Sequence, residues 1–398
     1  MLGRALGERG HHVIWWTANF AHHFKHFRSL TWQDIKVDPL FQIRLVPTTD
    51  YYKNISLGRI RFELLYSWRM YNRAIQELSP DCIISVAPNS FNNPFAVRLS
   101  KHFDVPLILD FFDLYPEMFA FALPEIIRPL APIMFAPLYW LRRQDLNQAD
   151  AITAVCDSYL ETALRIAPRV PKNRSLTVYI GVDTAKFREK VPSIQEIDLV
   201  TKRYNKYAGE VWAIYAGSLG NNYDIDTLLQ AGLRLEKQGS KVKIQIAGDG
   251  PLRTRIIQFI ESRQMSHLTY LGKLDVDELI KLYRISDIGL SPYAPGSTVS
   301  MPTKVYDYLA AGLPIVNSLG GDDVESLLRE KQIGIQYEAG NPISLANALE
   351  YLASHPDQRR MMAQNSFDAA MQFDQHVQYG RFVDFIEQVV SGRGKITA

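Results

Sequence analysis

The chain has 398 residues, 47% of them hydrophobic, and a formal net charge of +2. That length suits two globular domains of about 150–200 residues each, and the near balance of charge excludes nucleic acid as an obvious partner. The two cysteines, Cys82 and Cys156, lie among apolar neighbours and read as buried reduced thiols of a cytoplasmic protein, not as a disulfide framework.

The pattern alternates along the chain. A helical "LGRALGERG" leads into the strand-like "HHVIWWT" (11–17) and "FQIRLVP" (41–47). Helical periodicity covers 59–78, "PDCIISVAP" (80–88) is a short apolar strand, and "PFAVRLSKHF" is helical before the strand "VPLILDFFD". Strand "ADAITAVC" (149–156) closes the first half. Short buried strands alternating with helices predict a parallel sheet with helices on both faces. No signal peptide is visible, and no apolar run reaches the roughly 20 residues of a membrane span. The nearest approach, 118–143, is broken by Pro124, Pro129, Pro132 and Pro137 and ends in Arg142 and Arg143. Such a stretch fits a segment lying in a bilayer interface or a loop packed on its own domain.

The segment 189–210 is charged and weakly periodic and reads as a connector. The expected division is therefore 1–188, a connector at 189–210, and 211–374, with a terminal amphipathic helix in 375–398 packing back on the first domain. In the second half, "VWAIYAGS", "KVKIQIAGDG", "LTYLG", "DIGLSPY" and "LPIVNS" are strands separated by helices. Three strand-to-helix turns carry glycine: Gly217 and Gly220, Gly248 and Gly250 around Asp249, and Gly272. Glycines at such turns let backbone N–H groups approach an anion. They lie at the carboxyl ends of parallel strands, where open α/β sheets bind ligands. The first turn is no dinucleotide fingerprint, because a third glycine is missing and Asp224 lies in the turn. It is no P-loop either, because no Lys-Ser/Thr pair follows.

"SMPTKVYDYLAAGLP" (300–314) is a helix entered through Pro302 at its first position and left through Gly312 and Pro314. Lys304 and Asp307, three apart, share one face. They are either a solvated ion pair or a site for a ligand bearing both phosphates and hydroxyls. Histidines cluster early; His22 and His26 could meet on a helix, but no HExxH pattern accompanies them, so surface or acceptor contact is the reading, not metal.

"YAGSLGNNYDIDTLL", "IAGDGPLR", "LTYLGKLDVDELIKLYRISDIGLSPY" and "MPTKVYDYLAAGLPIVNS", in this order, resemble the donor-binding half of the family 4 retaining glycosyltransferases. In the first half, "LILDFFDLYPE" (107–117) resembles an acceptor-domain segment of the bacterial polysaccharide and lipopolysaccharide members, and "ADAITAVCDSY" and "YIGVDTAKF" match the segments closing that domain. The resemblance implies the α/β GT-B fold, two doubly wound Rossmann-like domains facing a cleft. It implies transfer of a hexosyl or N-acetylhexosaminyl group from a nucleotide diphosphate-sugar, UDP being the family's commonest nucleotide, onto a polysaccharide or polyprenyl-linked acceptor. It implies no metal, because the leaving phosphate takes the acceptor's proton.

By position, the resemblance assigns Asp307 to the ribose hydroxyls and Lys304 to the diphosphate and the charge growing on it. The turns bring Gly217, Ser218, Gly248, Asp249, Gly250, Arg253 and Gly272, with Ser300, to the donor. Asp113, preceded by Phe112 where the family commonly has His, is the catalytic candidate on the acceptor side, with Glu117 second. Its other reading is a cap for the turn before Pro116.

Three departures stand out. Val299 occupies the place of a carboxylate that contacts the transferred sugar. Ser218 and Tyr223 occupy the places of phosphate-binding Arg and Lys, leaving Lys304 and Arg253 to supply positive charge. The first strand and its glycine-rich loop are absent, which fits a late-assigned start, a truncation or an altered function. Rival readings are a GT-B-fold UDP-sugar epimerase and a non-catalytic scaffold in a glycan-assembly complex. The cytoplasmic chain would touch a membrane peripherally through 118–143.

Overall fold

The computed structural model describes all residues except 23, 54–55, 88–90, 122, 125, 190–192 and 394–398. The chain forms two compact units, Met1–Tyr179 with Gln378–Ala398, and Ile180–Val377.

In the first unit, β1 (Val13–Ala18) is followed by the short hairpin β2 (Phe20–Ala21) and β3 (His26–Phe27), then β4 (Gln33–Lys36) and β5 (Phe41–Val46). β1 and β5 pair in parallel and β4 adds antiparallel to the far side of β5. A separate parallel sheet runs β6 (Ile83–Ala87), β7 (Leu107–Phe111), β8 (Ala151–Ala154), β9 (Ser175–Thr177) in that order.

One doubly wound sheet was expected; among the described residues β1 and β6 each keep one edge without a strand partner. The two edges nevertheless flank common packing. Trp16 of β1 and Ile83 of β6 both lie against Val46, Met70, Ala74 and Leu99, while Val13 and Ile84 lie against the cluster of Leu2, Leu6 and Ile108. The layer is continuous in its cores and interrupted in its ladder, and Ile14, Trp15 and Val86 are exposed beside the interruption. From Gln378 onward the terminal helix supplies Phe382, Val383, Phe385, Ile386 and Val389 to the Leu2 cluster, and Arg9 and His11 bind its Asp384 and Glu387.

The second unit is a six-stranded parallel sheet in the order β12-β11-β10-β13-β14-β15. Its strands are β10 (Val211–Ala216), β11 (Val242–Ala247), β12 (Leu268–Gly272), β13 (Ile288–Ser291), β14 (Ile315–Asn317) and β15 (Gly334–Gln336). Helices cover both faces, so every residue of β10 and β13 is buried. The order reverses between β10 and β13, and the crevice beyond their carboxyl ends is where such sheets take ligands.

Residues 180–210 belong to this second unit, not to the first domain or a free connector. Val182 bridges to Asp374, and Arg284 donates to the Phe187 carbonyl. The charged stretch contains a helix, Ile194–Arg203, opened by a Ser193–Glu196 capping box and tied down by Tyr204 to Glu278. Its charge is a solvated face, and the capping box was the signal that it folds. His22 and His26 lie beside and on the β2–β3 hairpin, not on a helix, and His22 stacks on Tyr51.

Candidate functional site

The glycine turns of the second unit are laced together by their backbones. Gly217 N–H donates to Ala247 O at 3.0 Å, Leu219 N–H to Asp249 O at 3.0 Å, and Gly248 N–H to Gly272 O at 2.8 Å. At Gly248 and Gly250 the fit leaves no room for side chains. A Cβ on Gly248 would lie 1.8 Å from the Gly217 carbonyl oxygen, and one on Gly250 2.6 Å from that of Leu219. Gly248→Ala must push these turns apart, so it is expected to cost about 1–3 kcal/mol, a drop of several degrees in Tm. Thermal unfolding checks it; an unchanged Tm contradicts the packing described.

The helix after β13 runs Thr303–Ala310, just over two turns. Pro302 is the extended residue before it, not its first helical residue, while Gly312 takes the positive φ expected at the exit. Tyr308 fixes this helix to the switch point. Its ring covers Gly289, its hydroxyl accepts from Ala216 N–H of β10 at 3.2 Å, and Leu290 O of β13 lies 2.9 Å away as acceptor. The helix is thereby pinned across the two diverging strands, with its N-terminal turn toward their carboxyl ends.

Lys304 is not part of a solvated ion pair. It is buried, and among the described residues no carboxylate lies within ion-pair distance of it. Nζ lies 4.8, 4.0 and 4.6 Å from the ring centroids of Tyr215, Tyr223 and Tyr293, with the Tyr293 hydroxyl 3.4 Å away. A Cβ on Gly217 would meet Cε at 3.4 Å and Nζ at 3.6 Å, so the amine reaches the first glycine turn. Burial drives its pKa far below that of an ordinary lysine. The tyrosine cage was not foreseen; the only hint was Tyr223 in a place where the resembled family carries lysine.

Asp307, one turn on, is half-buried, and desolvation pushes its pKa up to about 7. Its charge is felt by Tyr283 and Tyr308. The lysine and the carboxylate therefore have different surroundings, each short of countercharge. Ser300 donates to Asp323, so a carboxylate from the next helix reaches the residue beside Val299. Ser218 takes the Tyr215 hydroxyl on its carbonyl. Gly272 has a positive φ of 74° at the end of β12. Arg253 departs from expectation: it is exposed and lies 4.0 Å from Asp249, a surface pair of little energy. Asp249 also accepts from Gly250 N–H at 2.9 Å, which orders its own turn.

In the first unit, Asp113 is exposed on the loop after β7, with its pKa raised by partial desolvation. Glu117 is engaged elsewhere: both its oxygens take Arg142, at 2.8 and 2.9 Å. Arg142 also holds the Tyr115 carbonyl at 2.7 Å, which makes Glu117 a brace for this loop instead of an open acceptor contact. Among the described residues no cluster of three or more His, Cys, Asp or Glu could hold a metal ion.

Comparison with known proteins matches residues 197–368 to the family described as Glycosyl transferases group 1, and residues 1–186 to Glycosyltransferase Family 4. Both halves of the chain are glycosyltransferase-like. Among curated relatives, the alpha-monoglucosyldiacylglycerol synthase of Streptococcus pneumoniae is 22% identical over 66% of this chain and 56% of its own. The match spans between 39% and 57% of the length of the curated relatives. Among solved structures, sucrose-phosphate synthase from Thermosynechococcus elongatus superposes with a TM-score of 0.73 at 16% identity, over 98% of this chain and 92% of that one. HepE of Anabaena in complex with UDP gives 0.63 at 16% identity, over 87% and 86%. The fold is GT-B, built from two Rossmann-like α/β units.

Proposed function

We propose that this chain is a retaining glycosyltransferase that moves a sugar from a nucleotide diphosphate-sugar, UDP being the first nucleotide to test, to a polysaccharide or polyprenyl-linked acceptor. The observation that carries the reading is Lys304: a buried amine without a carboxylate partner among the described residues, beside Gly217 at the switch point of the second unit. Burying such a group is costly unless an anion completes it. A diphosphate at the glycine turns supplies that anion, and its charge grows as the glycosidic bond breaks, when Lys304 stabilises it most. Asp307 accepts the ribose hydroxyls, as a carboxylate with two acceptor oxygens can. Asp113 orients the acceptor hydroxyl, whose proton passes to the leaving phosphate, so no metal is required. In this reading Asp323, through Ser300, contributes the carboxylate that Val299 lacks.

The test is nucleotide release from a panel of UDP-, GDP- and ADP-sugars with acceptor-bearing lipid extract, followed by anomeric analysis of the product. Release that depends on acceptor, with retained configuration, supports the proposal. A new sugar nucleotide formed without release would mark an epimerase, and neither product would mark a scaffold.

A lipid-borne acceptor is favoured by the surface of the first unit and by the diacylglycerol in the name of one relative. Among the described residues no helix is long and apolar enough to cross a membrane. Ile126, Leu130, Ile133, Met134 and Trp140 are nevertheless exposed. Leu57, Ile60, Leu64 and Trp68 form a second exposed stripe on the helix Leu57–Ala74, with Arg61 among them. Exposed apolar residues flanked by arginine fit a bilayer interface. The protein is expected to float with vesicles containing anionic lipid, and Ile126→Glu with Ile133→Glu to abolish this. Recovery of the unaltered protein free of vesicles at low salt would contradict it.

A further inference from the structure

We propose that Tyr223 and Tyr293 are positioning residues of the diphosphate site, and that a nucleoside diphosphate entering it draws one proton onto Lys304 Nζ. The inference rests on the donor-site reading above and deepens it.

Three tyrosines enclose the amine. Tyr215 and Tyr293 are almost fully buried, at 0% and 2% exposed, while Tyr223 is only partly so. Tyr223 stacks 5.0 Å from Tyr293 in a tilted arrangement and shares a hydroxyl hydrogen bond with it. Its ring is also the nearest of the three to Nζ. It is thus the one wall of the cage that can open to solvent, and Gly217 leaves the approach to Nζ free of a side chain.

Among the described residues the cage holds no anion. Burial raises the hydroxyl pKa of Tyr215 and Tyr293, so both stay neutral phenols. Among the described residues no neighbouring carboxylate pairs with Lys304. On the same helix, Asp307 is half-buried, and its charge is felt by Tyr283 and Tyr308. Asp224, after the first turn, caps the next helix through Thr227 and takes Gly340 N–H. Asp249 is exposed and holds its own turn. π faces attract a cation but do not replace water fully. The unliganded site is therefore an amine among phenols, neutral as a whole. A diphosphate brings the missing charge. Solvent or buffer then gives one proton to the Nζ lone pair, an ammonium–phosphate pair forms, and the Tyr293 and Tyr223 hydroxyls remain to donate to phosphate oxygens.

The experiment is calorimetric titration of the full chain with UDP at pH 8 in HEPES and in Tris, whose ionisation heats differ. The expected result is uptake of about one proton per UDP bound, the count for a single amine becoming charged. Tyr223→Phe keeps the ring and is expected to keep the uptake. Tyr223→Ala admits water to Nζ, and is expected to bind UDP with less than half the uptake. Lys304→Arg, always charged, is expected to show none. Independently of any ligand, the 15Nζ signal of Lys304 at pH 8 should be that of an amine. UDP binding without uptake, or an ammonium signal in the unliganded protein, overturns the inference. An amine signal with no binding of UDP, GDP or ADP would instead overturn the donor-site reading, and the uptake with it.

Discussion

Lys304→Met is expected to lower sugar-transfer kcat/KM by about 10²–10³-fold or more, the loss seen when a charge-stabilising group is removed from a reacting centre, while making the unliganded protein more stable. The two effects have one cause. In the free protein Lys304 is buried among Tyr215, Tyr223 and Tyr293 with no anion beside it among the described residues, and its pKa is driven down by desolvation. The unfolded chain binds a proton there at neutral pH and the native state binds it less well, so the group opposes folding and its cost shrinks as pH rises. Methionine has similar length, needs no proton, and packs well against aromatic rings. Urea unfolding at pH 7 and initial rates of nucleotide release check both halves. A variant both less stable and less active would make Lys304 a structural residue; activity within threefold of the unaltered protein would remove it from the donor site.

Asp307→Asn is expected to flatten the pH dependence of stability and to weaken donor binding. Desolvation raises the native pKa to about 7, against roughly 3.9 in an unfolded chain. Between these values the native state holds a proton that the unfolded state has lost, so stability falls as pH rises from 4 to 7 and the full cost is present above 7. That cost is at most about 4 kcal/mol at pH 8, and asparagine removes it. The unaltered protein should therefore lose stability between pH 5 and pH 8 by more than the variant does. Toward a donor the effect reverses. One amide oxygen replaces two carboxylate oxygens, and losing a charge-assisted hydrogen bond of about 1.5–3 kcal/mol raises KM by roughly 10–150-fold. Paired denaturation curves and KM values at pH 8 decide it; parallel pH profiles for the two proteins would contradict the shielding of Asp307.

Much of the second unit could be read from residues, because its signals are local. The glycine turns are set by backbone approach, as Gly248 against the Gly217 carbonyl shows, and glycine is the one residue that permits it. The relation of Lys304 to Asp307 follows from helical spacing. What could not be read is assembled from distant segments. Tyr215, Tyr223 and Tyr293 meet only because β10 and β13 are neighbours in the sheet, and Tyr308 matters only because its hydroxyl spans both strands. Arg253 and Glu117 were plausible by type but belong to an exposed pair and to a brace with Arg142. The stretch 189–210 reads as a connector because its charge outweighs the capping signal of Ser193 and Glu196. Among the described residues β1 and β6 have no ladder between them, yet both pack on the same two clusters.

The central claim is that the second unit grips a nucleoside diphosphate between the glycine turns and the Thr303–Ala310 helix. The most direct test is thermal unfolding of the purified chain with UDP, GDP and ADP, repeated with Lys304→Met and Asp307→Asn. A ligand bound only by the native state, at a hundredfold excess over Kd, adds about 2.7 kcal/mol. The account predicts a rise in Tm with one of the three nucleotides, lost in Lys304→Met and reduced in Asp307→Asn. No rise with any of them, or an equal rise in both variants, would contradict it.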